Sequence, residues 1–394
     1  MTRIRPRLLL LVSAVAILIS WYAVLMAAYV RVPGKLEGAD FLAFYSAGRV
    51  ARDYGINHVY DLELQGIAQP HTTGVPVGSQ QTLTANHPPF LFPFLSLIAG
   101  LNYRSAYFCY VFLLFLIVAA GLPPIYKYLL KNGWKPQLAL VSMLGILLFE
   151  PLFMSVLKGQ DSALLLSGGL LWFAGLRTGK DRLAGLGLAL TLIRPQIAIV
   201  LAVPFIFKKG RIIHWFAVGA AILGLFSILL VGRTGVLDYF HLITLSAGGE
   251  GYGLAEKEMF NITGMILRVW PQSSLGIVHT IGWVLYASAI LGMCVLWLKS
   301  KTIHLWHITL LLSVSLVTAP HLHYHDLSLL VIPIIGLGLA GMRTGRWTTW
   351  IAAGLPLTVS VILLLSELWD PLRFTVPYLL MIILPVLTWW YETH

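Results

Sequence analysis

Long apolar runs alternate with short polar stretches along the whole chain. The runs fall at about 8–30, 105–126, 137–157, 161–176, 212–231, 275–298, 303–318, 327–342, 347–365 and 372–390. Runs of about 18–25 apolar residues match a hydrocarbon core of ~30 Å crossed by a helix. Two further runs are short or broken. One covers 90–101 after the His87-Pro88-Pro89 turn, and the other covers 183–207 with Arg194-Pro195-Gln196 in its middle. Backbone in lipid must satisfy its own hydrogen bonds, and no alternating strands of a barrel are visible. The pattern predicts an all-α polytopic membrane protein, a single integral domain over 1–394. It should have about 10–13 transmembrane helices, including short or re-entrant segments.

Two polar stretches are long, 31–88 and 232–273. The first opens with Gly38-Ala39-Asp40-Phe41 and then reads as an amphipathic helix. Phe41, Phe44 and Tyr45 cover one face, and Arg49, Arg52 and Asp53 follow. Such a helix lying on the bilayer surface would hold Asp40 at the mouth of any cavity between spans. Asp40 reads equally as the N-cap of that helix. Gly55, Gly74, Pro76 and Gly78 mark turns further on, and Glu250, Glu256 and Glu258 in the second stretch read as a solvated acidic surface.

Composition agrees with the pattern: 58% of residues are hydrophobic and 11% charged. Cys109 and Cys294 both sit in apolar runs and do not suggest a disulfide framework. Residues 1–30 carry Arg3, Arg5 and Arg7 ahead of an apolar run too long for a signal peptide, so they read as a retained first span. The net charge of +11 is explained by topology, with no need for a nucleic-acid partner. More than half of the 27 Lys and Arg fall in six clusters: Arg3/Arg5/Arg7, Lys127/Lys131/Lys135, Arg177/Lys180/Arg182, Lys208/Lys209/Arg211, Lys299/Lys301 and Arg343/Arg346. The positive-inside rule puts these in the cytoplasm and both long polar stretches outside. Arg182 and Lys208 then share a side, so the run between them must go in and come back, turning at Arg194-Pro195-Gln196. The alternative is a single kinked span with one cluster outside.

On this topology several polar groups gather at the outer ends of different spans: Asp40, His87, Lys158-Gly159-Gln160-Asp161, Arg194-Pro195-Gln196 and the stretch from His321 through His323 and His325 to Asp326. Charges at the membrane edge are costly, which makes them functional candidates. Arg194 offers a bidentate fork for an anion, or it pairs with Glu150 or Asp161. Lys158 adds a point charge. Gln160 and Gln196 suit sugar hydroxyls or interhelical bonds. The histidines invite a zinc reading, but alternate residues share a face only in an extended segment. They read instead as groups that orient a phosphate, bond a sugar or sit at the interface.

These motifs resemble glycosyltransferase family 87, a group of polytopic GT-C-type enzymes that includes polyprenol-phosphate-mannose-dependent mannosyltransferases. The resemblance rests on Asp40-Phe41 with Tyr45, Gly55 through Val59-Tyr60-Asp61, the His87-Pro88-Pro89 turn, Gly159-Gln160, the Arg194-Pro195-Gln196 break and Pro320-His321. Arg194 stands where the family often has Lys. The resemblance implies a multi-pass enzyme of the inner (plasma) membrane, with its active site facing the periplasm or extracellular side. It would move mannose or another hexose or pentose from a polyprenyl monophosphate to an acceptor hydroxyl on a glycolipid or glycan. The transfer would invert the anomeric centre and use no cofactor or metal. Asp40 would be the general base. Arg194, Lys158, His321 and His323 would bind the donor phosphate, and Gln160, Gln196, His87 and Tyr45 the sugar or acceptor. Asp61 would be structural. A transporter or flippase for a lipid-linked or small polar substrate is the alternative, and a membrane scaffold without chemistry is the third reading. No inverted repeat of broken helices favours a transporter.

Overall fold

A computed structural model describes residues 6–32, 35–36, 40–73, 82–247, 256–345 and 347–394. Arg3, Arg5, Gly38, Ala39, Gly74, Pro76, Gly78, Glu250 and Arg346 lie outside the described residues. The helices are α1 (Pro6–Arg31), α2 (Phe41–Asp53), α3 (Leu62–Thr73), α4 (Phe92–Ile98), α5 (Tyr103–Lys131), α6 (Pro136–Leu147), α7 (Glu150–Lys158), α8 (Ser162–Thr178) and α9 (Asp181–Leu190). They continue as α10 (Pro195–Ala202), α11 (Gly210–Ala247), α12 (Ile262–Val269), α13 (Leu275–Lys299), α14 (Leu305–Thr318), α15 (Val331–Arg343), α16 (Thr349–Ser366) and α17 (Asp370–Thr393).

The protein is an all-α polytopic membrane protein. Seven described helical segments are long and apolar enough to cross a bilayer, and Pro89–Ile98, Pro195–Phe207 and Leu305–Thr318 are shorter apolar helices. Large aliphatic side chains such as Leu10, Leu225, Leu229 and Leu291 point outward from α1, α11 and α13, where only lipid would accept them. The segment Tyr324–Arg343 is almost wholly buried and forms the centre of the bundle.

Three breaks depart from straight spans. The expected run 137–157 is two helices, α6 and α7, bent by 42°. Pro151 near the start of α7 lacks the N–H that a continuous helix would need there. In α11, Gly232 adopts φ 62° and ψ −169°, outside the helical region. Beyond it the chain stays helical to Ala247, where the sequence pattern predicts loop. The third break lies between α9 and α10. These helices have 10 and 8 residues, or about 15 and 12 Å each, far short of a ~30 Å hydrocarbon core. Lys209 Nζ lies 3.9 Å from Asp181 Oδ1, so the two ends of the segment meet. The segment therefore enters and returns, with Arg194 at its tip.

The basic helix ends gather on one face. Arg177 at the end of α8 donates to the Tyr128 hydroxyl at 3.2 Å and to the Ile303 carbonyl at 3.3 Å. Arg343 at the end of α15 reaches Asn132 and Glu392. Asp161 and Asp326 sit at the other ends of the same two segments. Roughly 25 Å of helix separates the two levels.

The amphipathic helix predicted in the first polar stretch exists as α2, and most of it is covered by protein. Phe41 through Gly48 are all buried, and only its last turn carries exposed charges. It packs on α4 and α5, where Phe41 lies against Tyr103, Tyr107 and Tyr110.

The re-entrant path has a direct test. Cysteines placed as Arg182→Cys and Lys208→Cys should react with a membrane-impermeant maleimide from the same side of sealed vesicles. Labelling from opposite sides would make the segment a single crossing.

Candidate functional site

The site is built on a buried ionic group. Arg194 precedes Pro195 with φ −126° and ψ 82°, so α9 cannot run on into α10 and the guanidinium is aimed across the bundle. Its Nη2 lies 2.9 Å from Asp161 Oδ1, and its Nε lies 3.2 Å from Asp326 Oδ1. Arg194 is 8% exposed, Asp161 2% and Asp326 0%. Charges this deep persist only when paired. Ser162 donates a further hydrogen bond to Asp326 Oδ1 at 2.9 Å. His87 Nε2 approaches Asp161 Oδ2 at 3.5 Å, and His325 Nε2 approaches Asp326 Oδ1 at 3.8 Å. Of the two readings of Arg194, the geometry gives the ion pair with Asp161 and adds Asp326. Its fork is occupied by protein carboxylates.

Above this group lies a cavity of about 630 Å³. Asp40, His87, Lys158, Gln160, Arg194, Gln196, His321 and His323 all line it. Tyr45 does not. It is buried in the aromatic packing of α2, and its hydroxyl donates to the Leu101 carbonyl at 2.7 Å. That contact ties α2 to the turn before α5, so the expected place of Tyr45 at the sugar or acceptor is not seen.

Asp40 occupies the N-cap position of α2, yet its carboxylate makes no capping bond. Only its backbone carbonyl is used, accepting from the Ala43 amide at 3.1 Å. Asp40 is among the residues that line the cavity. Gly159 explains how Asp40 and Lys158 reach one cavity. Gly159 ends α7 with φ +70°, and a Cβ there would lie 2.5 Å from Phe41 Cβ. Only glycine allows the reversal and the contact together. Phe41 seats against the reversal, so Asp40 and Lys158, each one residue from this contact, open on the same space. Lys158 has no ion-pair partner among the described residues.

The amides divide in use. Gln196 Nε2 donates to the His321 carbonyl at 3.0 Å, and its backbone carbonyl accepts from Tyr286 at 2.7 Å. Gln196 thus fixes the 320–323 strip. Gln160 Oε1 is buried without a hydrogen-bond partner. Asn261, which the sequence reading passes over, donates to the carbonyls of Ala319 and Pro320 at 2.9 and 2.8 Å and holds the same strip from the other side. Asp61 accepts from the amides of Glu63 and Leu64, as the cap of α3.

His323 takes the extended backbone that brings alternate histidines together (φ −100°, ψ 166°). The His321 and His323 rings meet edge to face at 4.5 Å. Burial pushes the His87 imidazolium down to about 4, and Arg194 adds to this while Asp161 opposes it. Burial, reinforced by His323, pushes His321 down to about 3. His323 is lowered as well, chiefly by burial. These rings are neutral at pH 7 and offer an N–H and a lone pair each. Among the described residues, no three His, Cys, Asp or Glu side chains form a group that could hold a metal ion.

Of the acidic residues expected at a solvated surface, Glu258 is exposed as expected and Glu256 is not. Glu256 is only 12% exposed at its side chain and pairs with His279. Glu258 pairs with Arg373 at 3.3 Å. All four line the cavity. Their partners lie in α13 and α17, far along the chain, which local pattern could not reveal.

Two outcomes follow from the ionic group and the histidines. Arg194→Ala leaves two buried carboxylates without their cation and should destabilise by about 3–5 kcal/mol. A large fall in melting temperature in detergent is expected, whereas a folded variant with only weakened ligand binding would make Arg194 a ligand group. His87 titrates near 6.5 when unfolded and near 4 when folded. As pH drops from about 6.5 toward 4, the unfolded chain gains a proton that the folded chain refuses, so stability falls across that window. His87→Gln should make the fall in melting temperature shallower, and an unaltered slope would mean His87 is protonated in the fold.

Comparison with known proteins adds one finding. Neither the curated proteins nor the solved structures contain a match to this chain. The profile of Glycosyltransferase family 87 matches residues 86–320. That range includes His87, Lys158, Gln160, Arg194 and Gln196, and it exceeds half of the 394 residues. The chain therefore belongs to glycosyltransferase family 87, and it is a membrane glycosyltransferase.

Proposed function

We propose that the protein transfers a sugar from a polyprenyl monophosphate to an acceptor hydroxyl, with inversion, and that Asp40 is the general base. One observation carries this reading: Asp40, whose carboxylate makes no capping bond, and Lys158, without an ion-pair partner among the described residues, line one cavity. The acceptor oxygen attacks the anomeric carbon as Asp40 takes its proton. The new C–O bond forms while the bond from the anomeric carbon to the phosphate oxygen breaks, and the lipid phosphate leaves with the electron pair. The step is a single displacement, so one carboxylate suffices, unlike a retaining hydrolysis.

Negative charge grows on the phosphate as the bond breaks. Lys158 supplies a positive point charge there, and neutral His321 and His323 supply N–H groups. Arg194 acts through position on this reading, by holding the re-entrant tip. Gln160, with its unpartnered carbonyl oxygen, accepts from a sugar hydroxyl. Ile193, Ile199 and Ile243 give the cavity an apolar wall suited to the first isoprene units. The donor sugar is mannose or another hexose or pentose, the acceptor is a glycolipid or glycan, and no cofactor is needed. The side of the membrane follows from charge. The cavity lies at the opposite level from the basic helix ends, so the positive-inside rule turns it to the periplasm or the exterior.

Asp40→Asn should lower turnover by roughly 10²–10⁴-fold with the melting temperature unchanged, because no capping bond is lost. Labelled-sugar transfer from a panel of polyprenyl-phosphate sugars in lipid nanodiscs measures it. Lys158→Gln in the same assay should lose turnover and donor affinity together. Transfer at the wild-type rate by Asp40→Asn would remove the base assignment. Lipid-linked sugars that cross the bilayer without transfer would favour a transporter.

A further inference from the structure

We propose that Glu256, His279 and Trp283 form a subsite for a neutral, hydroxyl-rich ring, the acceptor sugar, distinct from the phosphate subsite at Lys158. The proposal rests on the transferase reading above. It starts from the pair of Glu256 Oε1 and His279 Nε2, which are 2.8 Å apart inside the cavity wall. A carboxylate has no proton to give, so His279 Nε2 is the donor in this contact. In the neutral ring, Nδ1 is then a lone-pair acceptor. Glu256 Oε2 is buried and has no hydrogen-bond partner among the described residues. The pair therefore presents acceptors, and the chemical partner of acceptors is a set of hydroxyl donors.

Charge excludes the alternative ligand. A phosphate brought to Glu256 would meet this carboxylate and that of Glu258. The nearby guanidinium of Arg373 is already shared between Glu258 at 3.3 Å and Glu367 at 3.2 Å. Like charges at close range cost binding energy in a site of low polarity. A neutral polyol carries no such penalty, and it supplies the donor that Glu256 Oε2 lacks.

Shape points the same way. Trp283 lines the cavity one helical turn beyond His279 on α13 and is 48% exposed, so the residue is not fully covered by protein. Tyr286 meets it edge to face at 5.7 Å, and the Tyr286 hydroxyl is fixed on the Gln196 carbonyl. The Trp283 ring is thereby buttressed. Gly282 keeps the wall thin, since a Cβ there would lie 2.7 Å from Thr263 Oγ1. A flat apolar face beside fixed polar acceptors is the layout of a pocket that orients a ligand with an apolar face and polar edge.

The test uses purified full-length protein in nanodiscs and two probes, measured separately. The first is a panel of methyl glycosides (mannoside, galactoside and arabinoside) with myo-inositol, followed by saturation-transfer NMR and titration. The second is undecaprenyl phosphate. At least one glycoside or inositol should bind, with affinity falling tenfold or more in Glu256→Gln and in Trp283→Ala, and recovering in Trp283→Phe. Undecaprenyl phosphate should bind Glu256→Gln as it binds wild type. The subsite is overturned if none of the sugar probes binds wild type, if Glu256→Gln leaves their affinity unchanged, or if it changes undecaprenyl phosphate binding instead. Failure of wild type to bind undecaprenyl phosphate would instead strike the donor reading, and the sugar-probe result would still decide the subsite.

Discussion

The clamp of Arg194 between Asp161 and Asp326 is the contact on which the site depends. Each of the three residues marks a place where a helix stops: the start of α8, the tip between α9 and α10, and the 3₁₀ turn that leads into α15. Broken helices leave unsatisfied backbone groups, and at membrane depth these survive only inside protein. The three breaks converge because one guanidinium can bridge two carboxylates with different nitrogens. An ammonium would offer a single point and could not fix both directions. Burial, against the pull of Asp161, keeps the neighbouring His87 neutral, so it approaches the frame as a hydrogen-bonding group. His87 and His325 approach this frame through its two carboxylates.

A second constraint is steric. Gly159 reverses the chain after α7 and leaves a hollow that the Phe41 side chain fills. Through this contact the first outer stretch, remote in sequence, is registered on the frame to within a van der Waals radius. Asp40 and Lys158 flank the contact, so their common opening onto the cavity is a packing result rather than an attraction between charges. The aromatic shell of Tyr103, Tyr107 and Tyr110 around Phe41 makes the register stiff.

Much of this is legible along the chain. Apolar runs mark the spans, and the Arg194-Pro195 step marks the re-entrant tip, because proline stops a helix and two basic clusters flank the run. The polar groups at span ends are legible one at a time. Their partners are not. Arg194 and Asp326 lie 132 positions apart, and no local period records that they touch. The amphipathic signal of α2 is borne out as a helix, but the neighbours that cover it are not in the local pattern, so that the helix buries its first turns completely and exposes charge only in its last. Glu256 looked solvated because acidic residues in a loop usually are. His279, one of the few polar residues within the apolar run of α13, was the available signal that a partner waits there.

The division of cations bears directly on how catalysis would be shared. A group that speeds a displacement must hold the transition state more tightly than the ground state. Arg194 is neutralised before any ligand arrives, so charge gained by a departing phosphate changes little for it. Lys158 has no such partner. A sugar-linked polyprenyl phosphate carries one negative charge, and the phosphate released carries up to two. The attraction to an unpaired ammonium grows along that path. On the proposed reading Lys158 would meet the requirement for differential stabilisation, and Arg194 the different requirement of fixing the re-entrant tip against Asp161 and Asp326. On that reading the tasks would fall to two cations, because one side chain cannot be both saturated by protein carboxylates and responsive to a new charge.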